Sequence, residues 1–238
     1  MKLLSIESSG MAASAALTDG DEVKAEFTLN NGLTHSQTLM PMIDAMCRLC
    51  GPDGDTPDAI AVSEGPGSFT GLRIGSATAK GMGLVWQIPI VPVPTLEGLA
   101  YNAWGRPEVI CPMTDARRGH VYAALYRSGE DGMQELMPAA DRAIEEIAAA
   151  LNERGEAVYL LGDGAKNYSD RLKTLLEVPY QTAPEHLLWP RAASVARAAR
   201  KRYEEGRTVS AADHTPNYMK VTQAERTRAR QAGEAVHD

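Results

Sequence analysis

The first thirty residues alternate between apolar runs and turn signals. LLSIES (residues 3–8) is a short apolar run, and ASAALTDGDEVKAEFTL (13–29) carries Asp19-Gly20 at its middle. Together they predict three strands, the last two joined as a hairpin at Asp19-Gly20. The period then changes. Leu39, Met42, Ile43, Met46 and Leu49–Cys50 recur at helical spacing through HSQTLMPMIDAMCRLC. Thr34 and Gln37 have the spacing of a capping box ahead of that helix, and Pro41 predicts a kink or a later true start. AIAVSEG (59–65) reads as a buried strand, FTGLRIGSATAKGMGLVW (69–86) as a second helix, and IPIVPV (88–93) as another strand.

The same order then returns. VICPMTD (109–115), HVYAALYR (120–127) and MQELMPA (133–139) predict three strands. RAIEEIAAALNERG (142–155) predicts a helix, AVYLLGDGA (157–165) a strand ending in Gly-x-Gly, and NYSDRLKTLLE (167–177) a helix. The chain therefore reads as βββαβα twice, with a glycine turn after the fourth strand of each copy. A repeat of this size identifies an architecture better than any single motif. It predicts an α/β protein of the two-lobed sugar kinase/Hsp70/actin (ribonuclease H-like) type, a fold that normally holds a nucleotide in its cleft. The expected division is residues 1–106 for the first lobe and 107–189 for the second. The helical stretch 189–206, in a C-terminal region of about 190–225, is expected to return onto the first lobe.

Composition narrows the classes. With 44% hydrophobic residues the chain can build a packed core, and no run approaches a membrane span. MKLLSIESSG is too short and too soon polar for a secretory signal, so a soluble cytoplasmic protein is expected. A net charge of −7 argues against a broad basic face for nucleic acid. The locally basic tail (Lys220, Arg226, Arg228, Arg230) reads as a solvated helix end able to touch a phosphate. Cys47 and Cys50 spell C-x-x-C, but at the last turn of a predicted helix, where the dipole opposes a thiolate.

The most informative stretch is SEGPGSFTGLRIG (63–75). It lacks the lysine of a Walker loop, and its glycines are spaced one residue too wide for a dinucleotide loop. Gly65, Gly67 and Ser68 remain candidates for a phosphate-binding turn, with Ser68 as helix N-cap, or for a plain corner. In the helix that follows, Gly71, Gly75 and Ala79 form a stripe of small residues. Each helix-interior glycine costs about 1 kcal/mol relative to alanine, so close approach of another backbone is the simplest cause. That neighbour is either the chain's own first helix or a helix of another molecule. General catalysts are scarce. No two of the five histidines are paired at helical spacing, and Glu7 and Asp115, each closing a first strand, are the only candidate catalytic carboxylates.

Five segments together carry a resemblance: IESSGMAASAAL, THSQTLMP, SEGPGSFTGLRIGSATAKG, DARRGHVYAALY and PNYMKV. They resemble the TsaB (YeaZ) family, from residue 3 to about 225, with His120 a departure where an acid or amide is usual. The resemblance implies a part in forming threonylcarbamoyladenosine in tRNAs that read ANN codons. It implies a non-catalytic activating subunit, similar in fold to its catalytic partner TsaD, which it binds along with the ATPase TsaE. TsaD-like chains hold their metal with an H-x-E-G-H segment. The matching PTLEGL here puts Thr95 and Leu99 at the histidine positions, so no metal and no catalytic residue is expected in this chain.

The resemblance also places the partner interface on the first two helices. Leu39, Met42, Met46, Phe69, Gly71, Leu72, Arg73, Gly75 and Ala79 are the expected contact residues. A homodimer through the same surface is expected when the chain is alone. ATP or ADP at a subunit junction is a further expectation, with tRNA reached mainly through the complex. The alternative is an ATP-dependent phosphotransferase or metallopeptidase of the same fold acting alone.

Overall fold

The structure, a computed structural model, describes residues 1–50 and 56–219. β1 (Lys2–Glu7), β2 (Ala13–Asp19) and β3 (Glu22–Leu29) form an antiparallel meander, and Gly20 turns the hairpin in left-handed backbone (φ 58°). α1 (His35–Cys50) leads to β4 (Ala59–Gly65), which pairs parallel to β1. α2 (Phe69–Trp86) then leads to β5 (Ile90–Pro94), parallel to β4. The first sheet has the order β3-β2-β1-β4-β5.

After α3 (Thr95–Ala100) the pattern repeats. β6 (Val109–Arg117), β7 (His120–Ser128) and β8 (Met133–Ala143) form a second meander, followed by α4 (Ile144–Arg154) and β9 (Val158–Leu161). α5 (Gly162–Asn167) and α6 (Ser169–Leu175) precede β10 (Tyr180–Thr182). The second sheet runs β8-β7-β6-β9-β10, position for position the order of the first. This is the repeated topology of the two-lobed sugar kinase/Hsp70/actin fold. Its shortest strand, β10, is wholly exposed and has no apolar alternation that would announce it. α7 (Glu185–Leu188) and α8 (Ala192–Glu204) close the helical inventory of the described residues.

Both sheets are covered on both sides, which explains why β1, β4 and β9 are nearly continuous apolar runs. α1 and α2 cover one face of the first sheet through Leu39, Met42, Met46 and Ala79. α8 covers the other, where Val195, Ala198 and Ala199 meet Leu3, Ala61 and Val93. α4 and α6 cover the second sheet on one side. Its other side takes α3, with Leu96, Leu99 and Ala100 against Ile110, Ala124 and Leu161. α3 and α8 thus form the seam between the sheets. Gly98 lets them approach, since a β-carbon there would stand 3.2 Å from Val195, and Glu97 pairs with Arg202 at 2.5 Å.

Several boundaries differ from expectation. α1 runs unbroken from His35 through Pro41, so no late start occurs. Gln37 does reach back, accepting from the Thr34 N–H at 3.2 Å, but the Thr34 hydroxyl donates to Gln37 instead of capping a backbone amide. β5 begins at Ile90, where it exchanges backbone hydrogen bonds with Val209. β8 extends to Ala143 because its register with β7 continues to His120, delaying α4 to Ile144. The basic tail Lys220–Arg230 lies outside the described residues.

Candidate functional site

The glycine turn after β4 sits at the C-terminal ends of the parallel strands, where α/β proteins bind ligands. Here that ground is taken by the chain itself. The Ser68 N–H donates to the Ser9 carbonyl at 2.7 Å, and the Gly71 N–H donates to the Ser68 hydroxyl at 3.3 Å. Gly67 presses on Ser9, whose carbonyl oxygen would lie 2.5 Å from an added β-carbon. Gly65, with φ of +127° and a cis bond to Pro66, leaves its β-carbon position to the Asn217 carbonyl. Gly65, Gly67 and Ser68 therefore form a packed corner in which the Ser68 and Gly71 amides are engaged by the chain itself.

The segment that covers the corner was invisible to local pattern. After α8 the chain pairs with the edge of β5 at Val209, then runs back along α2. Ala211 meets Gly83, and Lys80 donates to the Ala212 and His214 carbonyls at 2.8 and 2.9 Å. Asn217 donates its N–H to the Glu64 carbonyl at 2.7 Å. The Tyr218 ring packs on Phe69 with centroids 4.7 Å apart, and Arg73 donates to its hydroxyl at 3.1 Å while stacking on Phe69. Burial of His214 beside Lys80 holds its imidazole below the usual range.

The small-residue stripe also turns inward. The Ser8 carbonyl fills the β-carbon position of Gly71, and the Ser8 hydroxyl fills that of Gly75. The neighbour is chiefly the loop after β1, with His35 at the start of the first helix also 3.1 Å from the Gly71 β-carbon position. Leu39, Met42, Met46, Leu72 and Ala79 are likewise buried in the chain's own interior. Seven of the nine expected contact residues (Leu39, Met42, Met46, Gly71, Leu72, Gly75, Ala79) are thus core, and Phe69 and Arg73 are engaged by Tyr218. A 3.6-residue period reveals an apolar face but not whether sheet or partner covers it. The outward face of α2 is instead Ala77, Gly81, Leu84 and Val85, with Leu84 59% and Val85 80% exposed. α1, packed beside it on the same sheet, contributes Met40 at 48%.

The two candidate carboxylates share no hydrogen-bond partner among the described residues. Glu7 is sealed in the first sheet, accepting from the Ser9 N–H at 2.6 Å, the Ser9 hydroxyl at 2.5 Å, and Ser63. Burial raises its pKa against those stabilising bonds. Asp115 closes β6 and accepts from the Arg117 N–H at 2.7 Å, Asn167 at 3.0 Å and Tyr168 at 3.0 Å. Each carboxylate ties down its own loop. Asp163, whose Oδ1 accepts from the Asp115 N–H at 3.0 Å, is pushed up by burial. Cys47, on the last turn of α1, has its thiol pushed up by burial and then by Asp44.

The PTLEGL segment is α3, at the seam. Leu99 is fully buried in an apolar cluster, its Cδ2 3.0 Å from where a Gly162 β-carbon would stand. Thr95 is fully buried and its hydroxyl has no hydrogen-bond partner among the described residues. Their neighbours Glu97 and Gly98 serve the contact with α8. Neither side chain offers what a borderline metal ion prefers.

A family model described as "TsaD: tRNA N6-adenosine threonylcarbamoyltransferase" matches residues 30–227. The tRNA threonylcarbamoyladenosine biosynthesis protein TsaB of Bacillus subtilis is 30% identical over 230 residues, covering 94% of this chain and 96% of that protein. The chain belongs to the TsaB (YeaZ) family. The Haemophilus influenzae member is 26% identical over 231 residues, covering 92% of this chain and 94% of its own. YeaZ from Pseudomonas aeruginosa superposes with a TM-score of 0.78 at 26% identity, over 91% of this chain and 99% of that one. The family assignment thus rests on sequence and on fold together. Among the described residues, no helix is long and apolar enough to cross a membrane.

Proposed function

We propose that the chain is a non-catalytic subunit of the machinery that forms threonylcarbamoyladenosine in tRNA, and that it acts by binding a TsaD-type catalytic chain. The names of its relatives support the pathway. The observation that carries the non-catalytic reading is α3. Thr95 and Leu99 stand at the positions where the TsaD-like pattern has histidines, and both are built into the seam as core. The residues that would do metal chemistry have become packing.

The contact surface in this reading is the outward face of α1 and α2 around Met40, Ala77, Gly81, Leu84 and Val85, in place of the residues of the same helices that turn inward. Small residues at Ala77 and Gly81 admit a partner helix closely, and Leu84 and Val85 supply the apolar area that a patch of about 800 Å² needs. The same face pairs two copies when TsaD is absent, because exposed apolar helix surface gains by being covered. TsaE is a further partner in the same assembly, and ATP or ADP binds at a subunit junction.

The test is gel filtration of the purified chain with TsaD from the same source, followed by formation of threonylcarbamoyladenosine in tRNA with and without the chain. A shifted common peak and a dependence of product on the chain are expected. Two unshifted peaks at micromolar concentration, or full activity of TsaD without the chain, refute the reading.

A further inference from the structure

The tight turn between β6 and β7 is built from D-A-R-R-G-H, and three of its residues in succession hold left-handed backbone: Arg117 (φ 68°), Arg118 (φ 56°) and Gly119 (φ 83°). Arg117 pairs with His120 across the hairpin, so Arg118 and Gly119 are the two turn residues. A turn of this kind favours asparagine or glycine at its first position, because a side chain there crowds its own carbonyl. Two arginines occupy left-handed positions where smaller residues sit without strain. Strain of this sort persists where something else requires the residue.

The turn is held rigidly from below. The Asp115 carboxylate accepts from the Arg117 N–H at 2.7 Å and is itself steadied by Asn167 and Tyr168. The Gly119 N–H donates to the Tyr168 hydroxyl at 3.1 Å, and its carbonyl accepts from Ile144 at 3.0 Å. Arg171 brings a third guanidinium to within 3.0 Å of the Gly119 β-carbon position. The acids around the turn are committed elsewhere: Asp115 to the bonds above, Glu145 to Arg171, and Asp141 to His120 at 2.9 Å.

The Arg117 and Arg118 side chains are both exposed, and neither is paired among the described residues. Elsewhere in this acidic chain arginines are engaged: Arg48, Arg106, Arg127, Arg191, Arg200 and Arg202 each hold a carboxylate. Two adjacent, unpaired forks on a pre-formed platform are suited to anionic oxygens, because guanidinium matches phosphate in shape and keeps its charge at every physiological pH.

We propose that the Arg117–Arg118 turn is an RNA-backbone contact, through which this chain grips phosphates of the tRNA being modified. The proposal rests on the functional reading above. It requires no broad basic face. Two phosphate contacts position a large RNA while carrying no base specificity, and the net charge of −7 keeps the rest of the surface from binding RNA indiscriminately.

The test uses the full chain with TsaD and an unmodified ANN-reading tRNA transcript, comparing wild type with Arg117→Asn/Arg118→Asn. Asparagine relieves the left-handed backbone, so the variant is expected to melt at or above the wild-type temperature while its complex binds tRNA at least tenfold more weakly. The salt dependence of log affinity is expected to flatten by about two phosphate equivalents. A control, Arg154→Asn/Lys173→Asn, removes two charges from exposed helix positions and is expected to leave affinity within twofold. Unchanged tRNA affinity in R117N/R118N overturns the proposal, as does an equal loss in the control. Weakened association with TsaD at unchanged tRNA affinity also overturns it, and assigns the turn to an acidic protein surface. A wild-type chain that adds nothing to TsaD refutes the subunit reading itself, a result visible before either variant is made.

Discussion

Ser8 and Gly71 interlock. The Ser8 hydroxyl donates to the Gly71 carbonyl at 2.9 Å, while the Ser8 carbonyl occupies the space of the β-carbon that Gly71 lacks. The loop after β1 is thereby keyed into the first turn of α2, and Gly75 repeats the fit one turn later against the Ser8 hydroxyl. Alanine would favour the helix by about 1 kcal/mol, but it would press on a backbone that cannot step aside. Gly71→Ala is therefore expected to lower stability by about 1–3 kcal/mol, the range for an overfilled site. Gly75→Leu is expected to leave no folded monomer. Urea unfolding decides the first: a midpoint equal to or above wild type means the interlock is not as described.

The outward face of the same helix should behave in the opposite way. Leu84 and Val85 project into solvent, so Leu84→Asp/Val85→Asp removes no core contact and is expected to change monomer stability by less than about 0.5 kcal/mol per site. Placed in a partner interface, two buried carboxylates without counter-ions would weaken association severely. Titration calorimetry against TsaD is expected to show at least a tenfold rise in Kd. An unchanged Kd moves the interface elsewhere on the molecule.

These two cases mark where sequence stopped being informative. The repeat βββαβα and most element limits were legible because apolar period and turn chemistry agree at almost every step, from Asp19-Gly20 to the α2 boundaries. α3 escaped because TLEGLA has six residues, too few for a helical period to register. The burial side of α2 escaped because its stripe of small residues is equally consistent with a strand loop or a foreign helix. The cover over the glycine turn escaped because it depends on Asn217 and Tyr218, some 150 residues away, with no periodicity of their own. The left-handed backbone of the Arg117–Arg118 turn is a property of the fold and not of the letters D-A-R-R-G-H.

Glu7 gives the chain a pH dependence with a definite sign. Burial raises its pKa above the ordinary carboxylate value of 4.5 despite the bonds from Ser63 and Ser9. The folded state thus favours the protonated acid, and the stability it contributes is full below pH 4.5 and lost as pH rises through the folded value. Glu7→Gln keeps the shape and can still accept from Ser9, but it does not ionise. The melting temperature of Glu7→Gln minus that of wild type is therefore expected to grow between pH 5 and pH 8. A difference that shrinks or reverses over that window means Glu7 is held as a stabilised anion.

The seam offers the sharpest test of the proposed division of labour between this chain and TsaD. Writing histidines back into PTLEGL, as Thr95→His/Leu99→His, restores the letters of a metal-binding pattern but not its setting. Leu99 lies fully buried against Ile110, Ala124 and Leu161, and an imidazole there loses apolar burial and must desolvate its ring nitrogens. Thr95, also fully buried, leaves no room for a ring without moving its neighbours. The double variant is expected to lose about 3 kcal/mol or more and to retain no zinc after dialysis, with the same unfolding curve in the presence and absence of the metal. A variant that keeps one zinc per chain and melts like wild type would mean that the seam is still a metal cradle lacking only its ligands. In that event the non-catalytic reading would lose its main physical support.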